Sequence, residues 1–321
     1  MTSPDSELLV LSSSPHVKHK NNTRSIMLDV IIAMLPALVW SVVTFGWRPL
    51  MLTFVSVLSC ISFEYGFQRL TNRPTTVNDL SAVVTGMLLA FNVPSHAAWW
   101  LMPIGAFFAI VIVKQLFGGI GKNVVNPAIA ARIFLFVSWP AQLTGFNQPF
   151  TDAVSSATPL SFLKTGVIPE GYSILDMFLG LCPGCLGEVS SLLLLVGGIY
   201  LLVRRVITWH IPVAYLGTVA ALAFIFPQAG GGLEYMAYTL FSGGLMLGAF
   251  FMATDYTTSP VTYKGRLLYG FGCGVLTVMI RYFGAYPEGV SFSIMIMNLL
   301  VWYIDRLTIP VKFGGKKKGK V

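Results

Sequence analysis

The sequence predicts an all-α integral membrane protein with about ten transmembrane helices in two inverted five-helix repeats. Three observations carry this. Of the 321 residues, 55% are hydrophobic and 11% charged, where a soluble domain is about one quarter charged; in water such a chain would expose large apolar patches. Apolar windows of about 20 residues, the length that crosses a bilayer, recur from end to end. Basic residues gather in the short stretches between those windows.

The windows fall at 26–45, 49–68, 79–94, 98–117, 124–140, 173–203, 207–226, 235–254, 266–284 and 290–309. Two are short and marked by proline: 79–94 ends at Asn92-Val93-Pro94, and 124–140 opens around Asn126-Pro127. They are expected to be broken or partial helices, which a membrane tolerates only where protein covers the backbone. Segment 173–203 is too long for one straight crossing and is interrupted by Pro183-Gly184 and Gly187, so a kink or half-helix is expected.

Lysine and arginine set the orientation. With the N-terminus in the cytoplasm and ten crossings, 17 of the 21 basic residues fall on the cytoplasmic side. Arg48 and Lys164 fall outside, and Arg132 and Arg281 lie within or near spans. A net charge of +8 would raise nucleic-acid binding in a soluble protein; here it is a topology signal, and no nucleic-acid partner is expected. Residues 1–25 form a polar cytoplasmic arm with no cleavable signal peptide, and residues 310–321 a basic cytoplasmic tail.

The chain then divides into a first repeat at 26–140, an extracytoplasmic loop at 141–172 and a second repeat at 173–309. Lys114-Gln-Leu-Phe-Gly118 matches Arg281-Tyr-Phe-Gly284 at an offset of about 167 residues, and Pro94 matches Pro260 at nearly the same offset. An odd number of spans per repeat turns the halves opposite ways, as in inverted-repeat transporters. On architecture alone this suits a channel or solute transporter of urea-channel type.

Four cysteines are present: Cys60, Cys182, Cys185 and Cys273. Cys182-Pro-Gly-Cys185 has the spacing of a redox or metal pair, but a tetrahedral site needs two more ligands and no second pair exists. No metal and no catalytic acid or base is assigned. Nor is there a glycine fingerprint for a dinucleotide or a multi-cysteine cluster motif.

The loop carries Thr151-Asp152-Ala153-Val154-Ser155-Ser156-Ala157-Thr158-Pro159-Leu160. By composition it is a Ser/Thr turn, and Pro159 keeps Thr158 extended, because a residue before proline avoids the helical region. Asp152, Ser155, Ser156, Ala157 and Thr158 resemble the flavinylation motif Asp-x-x-Ser-(Ser/Gly)-Ala-Thr of the RnfD/NqrB family, membrane subunits of redox-driven ion pumps. Three further stretches match that family: Gly118-Gly-Ile-Gly-Lys-Asn123-Val-Val-Asn126-Pro127-Ala128, Gly184-Cys-Leu-Gly187-Glu188-Val-Ser190 and Ala253-Thr254-Asp255-Tyr256-Thr257-Thr258-Ser259-Pro260. The resemblance spans about residues 20–310, and length favours the Rnf branch.

The resemblance implies an electron-transfer subunit of an Rnf-type complex, which passes electrons from ferredoxin to NAD and exports Na+ or H+ across the bacterial cytoplasmic (inner) membrane. It implies FMN joined through its phosphate to Thr158 by a flavin transferase, with Asp152 serving recognition or positioning by that enzyme, and riboflavin bound without a covalent bond near Asn123 and Asn126. The partners implied are the Rnf A, B, C, E and G subunits and the lipid bilayer. Carboxamides suit a flavin ring edge, as both donors and acceptors; independently, Asn126 suits the cap of a helix starting at Pro127.

The remaining candidates are carboxylates in apolar surroundings, functional by default at such depth. Asp29, Asp176 and Asp305 lie near span ends. Glu64, with Arg69 five residues on, suits a local ion pair or an ion pathway. Glu188 and Asp255 suit polar links or ion contacts. Arg132 suits either a flavin phosphate or a carboxylate.

Overall fold

The computed structural model describes residues 22–151, 154–155, 158–169, 171–188, 190–284 and 288–310. The first two helices, α1 (Thr23–Phe45) and α2 (Arg48–Leu70), have 23 residues each, about 35 Å at the helical rise, which covers a hydrocarbon core of about 30 Å. A short helix, α3 (Ser81–Phe91), follows, then α4 (Leu101–Phe107), which widens into a π-helix over Phe108–Gln115. The first half ends with α5 (Pro127–Ser138).

The connecting segment holds α6 (Pro140–Leu143), strand β1 (Phe146–Asn147) paired antiparallel with β2 (Val154–Ser155), and α7 (Pro159–Lys164). The second half runs through α8 (Ile174–Leu179), α9 (Ser191–Val203), α10 (His210–Ile225), α11 (Gly232–Phe241), α12 (Leu245–Leu247) with a π-helix over Gly248–Met252, α13 (Tyr263–Phe283) and α14 (Val290–Thr308). Helices α1, α2 and α14 are each long and apolar enough to cross a membrane, as is the bent pair α11–α12 taken together. Large apolar side chains such as Val39, Phe54 and Trp302 stand exposed on the outer surface. The chain is a helical membrane protein.

The expected breaks occur, and two of them support each other. Helix α3 stops at Phe91, ahead of Asn92-Val93-Pro94. The long segment 173–203 divides into α8, which ends at Gly180 in a left-handed conformation, and α9, whose Ser190 cap accepts from Leu193 N–H. Across the gap, Leu186 N–H donates to Val93 O at 3.1 Å and Gly187 N–H to Phe91 O at 2.8 Å. Each non-helical stretch thus satisfies backbone groups of the other, as a membrane interior requires. A side chain at Gly187 would place its Cβ 2.5 Å from Phe91 Cβ, so the contact needs glycine.

One break was not expected. The window 235–254, read as a single span, turns by 66° between α11 and the α12 segment. Gly243 takes φ +64° at the turn, which glycine adopts freely. Arg281, from α13, donates to the carbonyls of Thr239 (2.8 Å) and Ser242 (3.1 Å), groups freed by the bend.

Packing runs in parallel in the two halves. Helix α2 lies against α3 and α4, and α10 against α11 and α13; α1 meets α9, and α5 meets α14, across the halves. Along α13, Gly270 and Gly274 let α10 approach until a Cβ would stand under 3 Å from Ala214 or Thr218, the small-residue contact typical of membrane helices.

Candidate functional site

Two small cavities hold the residues singled out above. The first contains Thr158. Its backbone is extended (φ −90°, ψ 158°), and it caps α7, Oγ1 accepting from Ser161 N–H at 3.3 Å. Pro159 at the first helical position explains both features. The hydroxyl hydrogen of Thr158 meets no acceptor among the described residues. Thr158 shares a pocket of about 20 Å³ with Cys182, Glu188, Ser242, Gly243 and Glu288. Beside it, burial first and then the nearby Cys182 push the Tyr172 hydroxyl above its ordinary range.

Arg132, on α5, stands behind this pocket and is committed to carboxylates. Nη1 donates to Asn92 Oδ1 and Ser291 Oγ, both at 2.9 Å; Nη2 bonds Glu288 and faces Glu188 at 3.7 Å. Of the two roles open to Arg132, the structure takes the ion pair. Glu188 Oε2 accepts from Cys185 N–H at 3.4 Å, while Oε1 is buried without a hydrogen bond. Cys182 and Cys185 are free thiols. Cys185, Glu188 and Glu288 lie within 4.8 Å of one another, but the guanidinium among them already supplies the positive charge a metal would bring.

The second cavity, about 80 Å³, lies at the ends of both π-helices and is lined by Ser81, Lys114, Asn123, Asn126, Thr254 and Asp255 among others. Asn126 is the cap of α5: Oδ1 accepts from Ala128 (3.0 Å) and Ile129 (3.4 Å) N–H, and Nδ2 donates to Met252 O at 3.3 Å. Its carboxamide is engaged at both ends. Asn123 Oδ1 is buried and unpartnered, so a donor is wanted there. Asp255 accepts from the hydroxyls of Thr257 (2.8 Å) and Thr258 (3.1 Å) and links its own turn.

Lys114 connects this cavity to a buried network. Its Nζ lies 2.9 Å from both oxygens of Glu64 and 2.6 Å from Ser81 Oγ. Gln115 and Gln68 donate to Glu64 Oε1 as well, at 2.9 and 3.4 Å. The local pair Glu64–Arg69 does not form: Arg69 Nε donates to Tyr65 Oη at 3.1 Å, because Glu64 faces inward, toward a lysine 50 residues on. The carboxylates at span ends make end contacts. Asp29 binds Tyr200 (3.0 Å) and Arg204 (3.3 Å), Asp176 caps α8, and Asp305 accepts from Val261 N–H at 3.1 Å.

Asp152, Ser156 and Ala157 lie outside the described residues; of Ser155 only the backbone is described, paired with Phe146. Glu288, Ser81 and the buried role of Lys114 were missed in the sequence. Glu288 sits just ahead of the last apolar window, and Lys114 looked like one more cytoplasmic basic residue.

The whole arrangement has known relatives. The model of the NQR2, RnfD, RnfE family matches residues 10–314. A protein of Acetobacterium woodii, named as the D subunit of a Na(+)-translocating ferredoxin:NAD(+) oxidoreductase complex, is 50% identical over 312 residues, 96% of each chain. A Clostridium ljungdahlii protein, named as the D subunit of a proton-translocating ferredoxin:NAD(+) oxidoreductase complex, is 40% identical over 326 residues, 97% of each. One of Escherichia fergusonii, named as the D subunit of an ion-translocating oxidoreductase complex, is 35% identical over 350 residues, 96% of this chain and 99% of the other.

Proposed function

The chain belongs to the NQR2, RnfD, RnfE family, and on that premise we propose that it is the D subunit of an Rnf-type ion-translocating ferredoxin:NAD oxidoreductase. It works within a complex, in electron transport, and has no complete activity alone. Full-length similarity to proteins named as D subunits of such complexes carries this much. Its partners are then the A, B, C, E and G subunits, and its place is the bacterial cytoplasmic membrane. Both termini lie inside and the Thr158 loop outside, as the basic residues indicate. The parallel packing of the two halves, and a π-helix in each, support two inverted repeats of five spans.

The cofactor part of the proposal is FMN esterified to Thr158 by a flavin transferase. The observation that carries it is the placement of Thr158: extended, before proline, its hydroxyl hydrogen unbound among the described residues, at a pocket lined by buried polar groups. A bound flavin supplies one- or two-electron chemistry, and the protein supplies position and electrostatics. Thr158 offers the acceptor oxygen at the entrance to α7, and Arg132 offsets one of the two carboxylate charges facing it.

Riboflavin is proposed near Asn123. The unpartnered Oδ1 suits a ring N–H, while Lys114 and Ser81, on the same cavity, already spend their donors on Glu64, on Ser81 Oγ and on Asp79. Asn126 serves by holding the start of α5. At about 80 Å³ the cavity is smaller than the usual ligand pocket of roughly 300–1,000 Å³, so lining side chains must turn aside for a ring system to enter.

The test is direct. The chain is expressed with a flavin transferase, denatured, run on a gel and viewed under ultraviolet light beside Thr158→Ala. A fluorescent band absent from the variant is the expected result. A dark wild-type band from a host with proven transferase activity overturns the assignment and favours a channel.

A further inference from the structure

We propose that Arg281 is the buried cation that binds the phosphodiester of a flavin carried on Thr158. The proposal rests on the Thr158 reading above and adds a residue to it.

Arg281 sits in the last turn of α13, 4% exposed. Two of its nitrogens donate to carbonyls at the α11 break, Thr239 O and Ser242 O; its Nε is buried with no partner among the described residues. No carboxylate stands within ion-pair distance of it among the described residues. Carbonyl dipoles satisfy N–H groups but bring no negative charge, so a full positive charge is held inside the protein with no direct counter-ion, an arrangement that is costly unless an anion joins it. Arg132, the other buried guanidinium nearby, differs in this respect: Glu188 and Glu288 already share it.

The geometry directs the charge of Arg281 toward Thr158. Gly243 lines the Thr158 pocket together with Ser242 and Leu160. A Cβ at Gly243 would stand 3.0 Å from Leu160 Cδ2 and 3.2 Å from Arg281 Nη2. Leu160 follows Thr158 by two residues, on the short helix that Thr158 caps. Gly243 therefore lies between the guanidinium and the pocket, and its φ of +64° keeps a larger residue from taking its place without strain. Glu188 and Glu288 line the same pocket. A phosphodiester bears one negative charge and would enter facing two carboxylates with one guanidinium between them. A second guanidinium stands behind Gly243, in the adjoining small cavity that it shares with Leu160 and Leu163; it balances the second carboxylate, which Arg132 alone leaves uncompensated, and its planar fork matches phosphate oxygens.

The bland alternative is that Arg281 only closes the α11 break. The experiment separates the two. The full chain is flavinylated in a host with transferase, its arginine guanidinium nitrogens are labelled with nitrogen-15, and phosphorus–nitrogen dipolar dephasing is recorded by solid-state NMR in lipid. Dephasing of the single phosphodiester resonance is expected in the wild type. It is expected to be lost in Arg281→Lys, which keeps the charge and removes the guanidinium while the fluorescent band remains. A loaded wild type without dephasing overturns the proposal, as does dephasing that survives Arg281→Lys, which would assign it to Arg132. Should Arg281→Lys fail to fold, Arg132→Lys decides: dephasing retained supports Arg281, and dephasing lost overturns it. A wild type with no covalent flavin refutes the Thr158 reading itself, and this proposal with it.

Discussion

Lys114 and Glu64 form an ion pair with no access to the surface: Nζ is 2.9 Å from each carboxylate oxygen, and the side chains are 2% and 0% exposed. Gln68, Gln115 and Ser81 complete the hydrogen bonding around it. A buried pair adds little net stability over an apolar replacement, but removing one partner strands the other charge at a cost of about 3–5 kcal/mol. Glu64→Gln and Lys114→Met should therefore each lower the melting temperature in detergent more than Glu64→Gln/Lys114→Met together. Additive losses in that double-mutant cycle would mean that the charges are not coupled.

Gly187 provides the second prediction. Its N–H bonds Phe91 O at 2.8 Å, and an added Cβ would meet the Phe91 side chain at 2.5–2.9 Å. Phe91 is fully buried, so little can yield. Gly187→Ala should destabilise by about 1–3 kcal/mol, the usual cost of overpacking, whereas Gly217→Ala, where a Cβ meets nothing within 4 Å, should not. Thermal unfolding of both variants compares them; equal stability would mean that the two broken helices are not held this closely.

Those two sites show what one sequence reveals. Apolar windows disclosed the helices, and Asn92-Val93-Pro94 and Pro183-Gly184 disclosed two breaks, because proline and glycine interrupt helices locally. That these breaks pair with each other is a long-range fact with no local sign. The bend at Ser242-Gly243-Gly244 sits inside an apolar stretch that reads as one span, and contacts from distant residues, Arg281 to Thr239 O and Ser242 O and Ser191 Oγ to Phe241 O, explain where its carbonyls go. Thr158 could be singled out because its motif is contiguous, and its place at the cap of α7 follows from Pro159. Of the two readings of Glu64, the pair with Arg69 fails because Arg69 is near only in sequence, while Lys114 is near in space.

Arg132 supplies the third prediction. It joins α5 to Asn92 beyond α3, to Ser291 on α14, to Glu288 just ahead of α14, and to Glu188 in the break after α8. Arg132→Met leaves two carboxylates facing each other in a buried site and should cost several kcal/mol. Arg132→Met/Glu288→Gln removes one of the two negative charges and should recover part of the loss. Melting temperatures of the three proteins decide it; a double variant no better than Arg132→Met would mean that repulsion between Glu188 and Glu288 is not what the arginine relieves.

Asn123 and Asn126 line one cavity but should fail in different ways. Asn126 accepts two backbone N–H groups at the start of α5 and donates to Met252 O. Asn126→Ala should cost about 1 kcal/mol for the lost cap, with a further penalty from the Met252 carbonyl left without its donor. Asn123 Oδ1 has no partner, so Asn123→Ala should leave the melting temperature nearly unchanged. If riboflavin binds in this cavity, the same substitution should lower the non-covalent flavin released on denaturation, measured by fluorescence after the covalent fraction is removed with the protein. Loss of stability without loss of riboflavin in Asn123→Ala would reverse the roles assigned to the two residues and move the second flavin elsewhere.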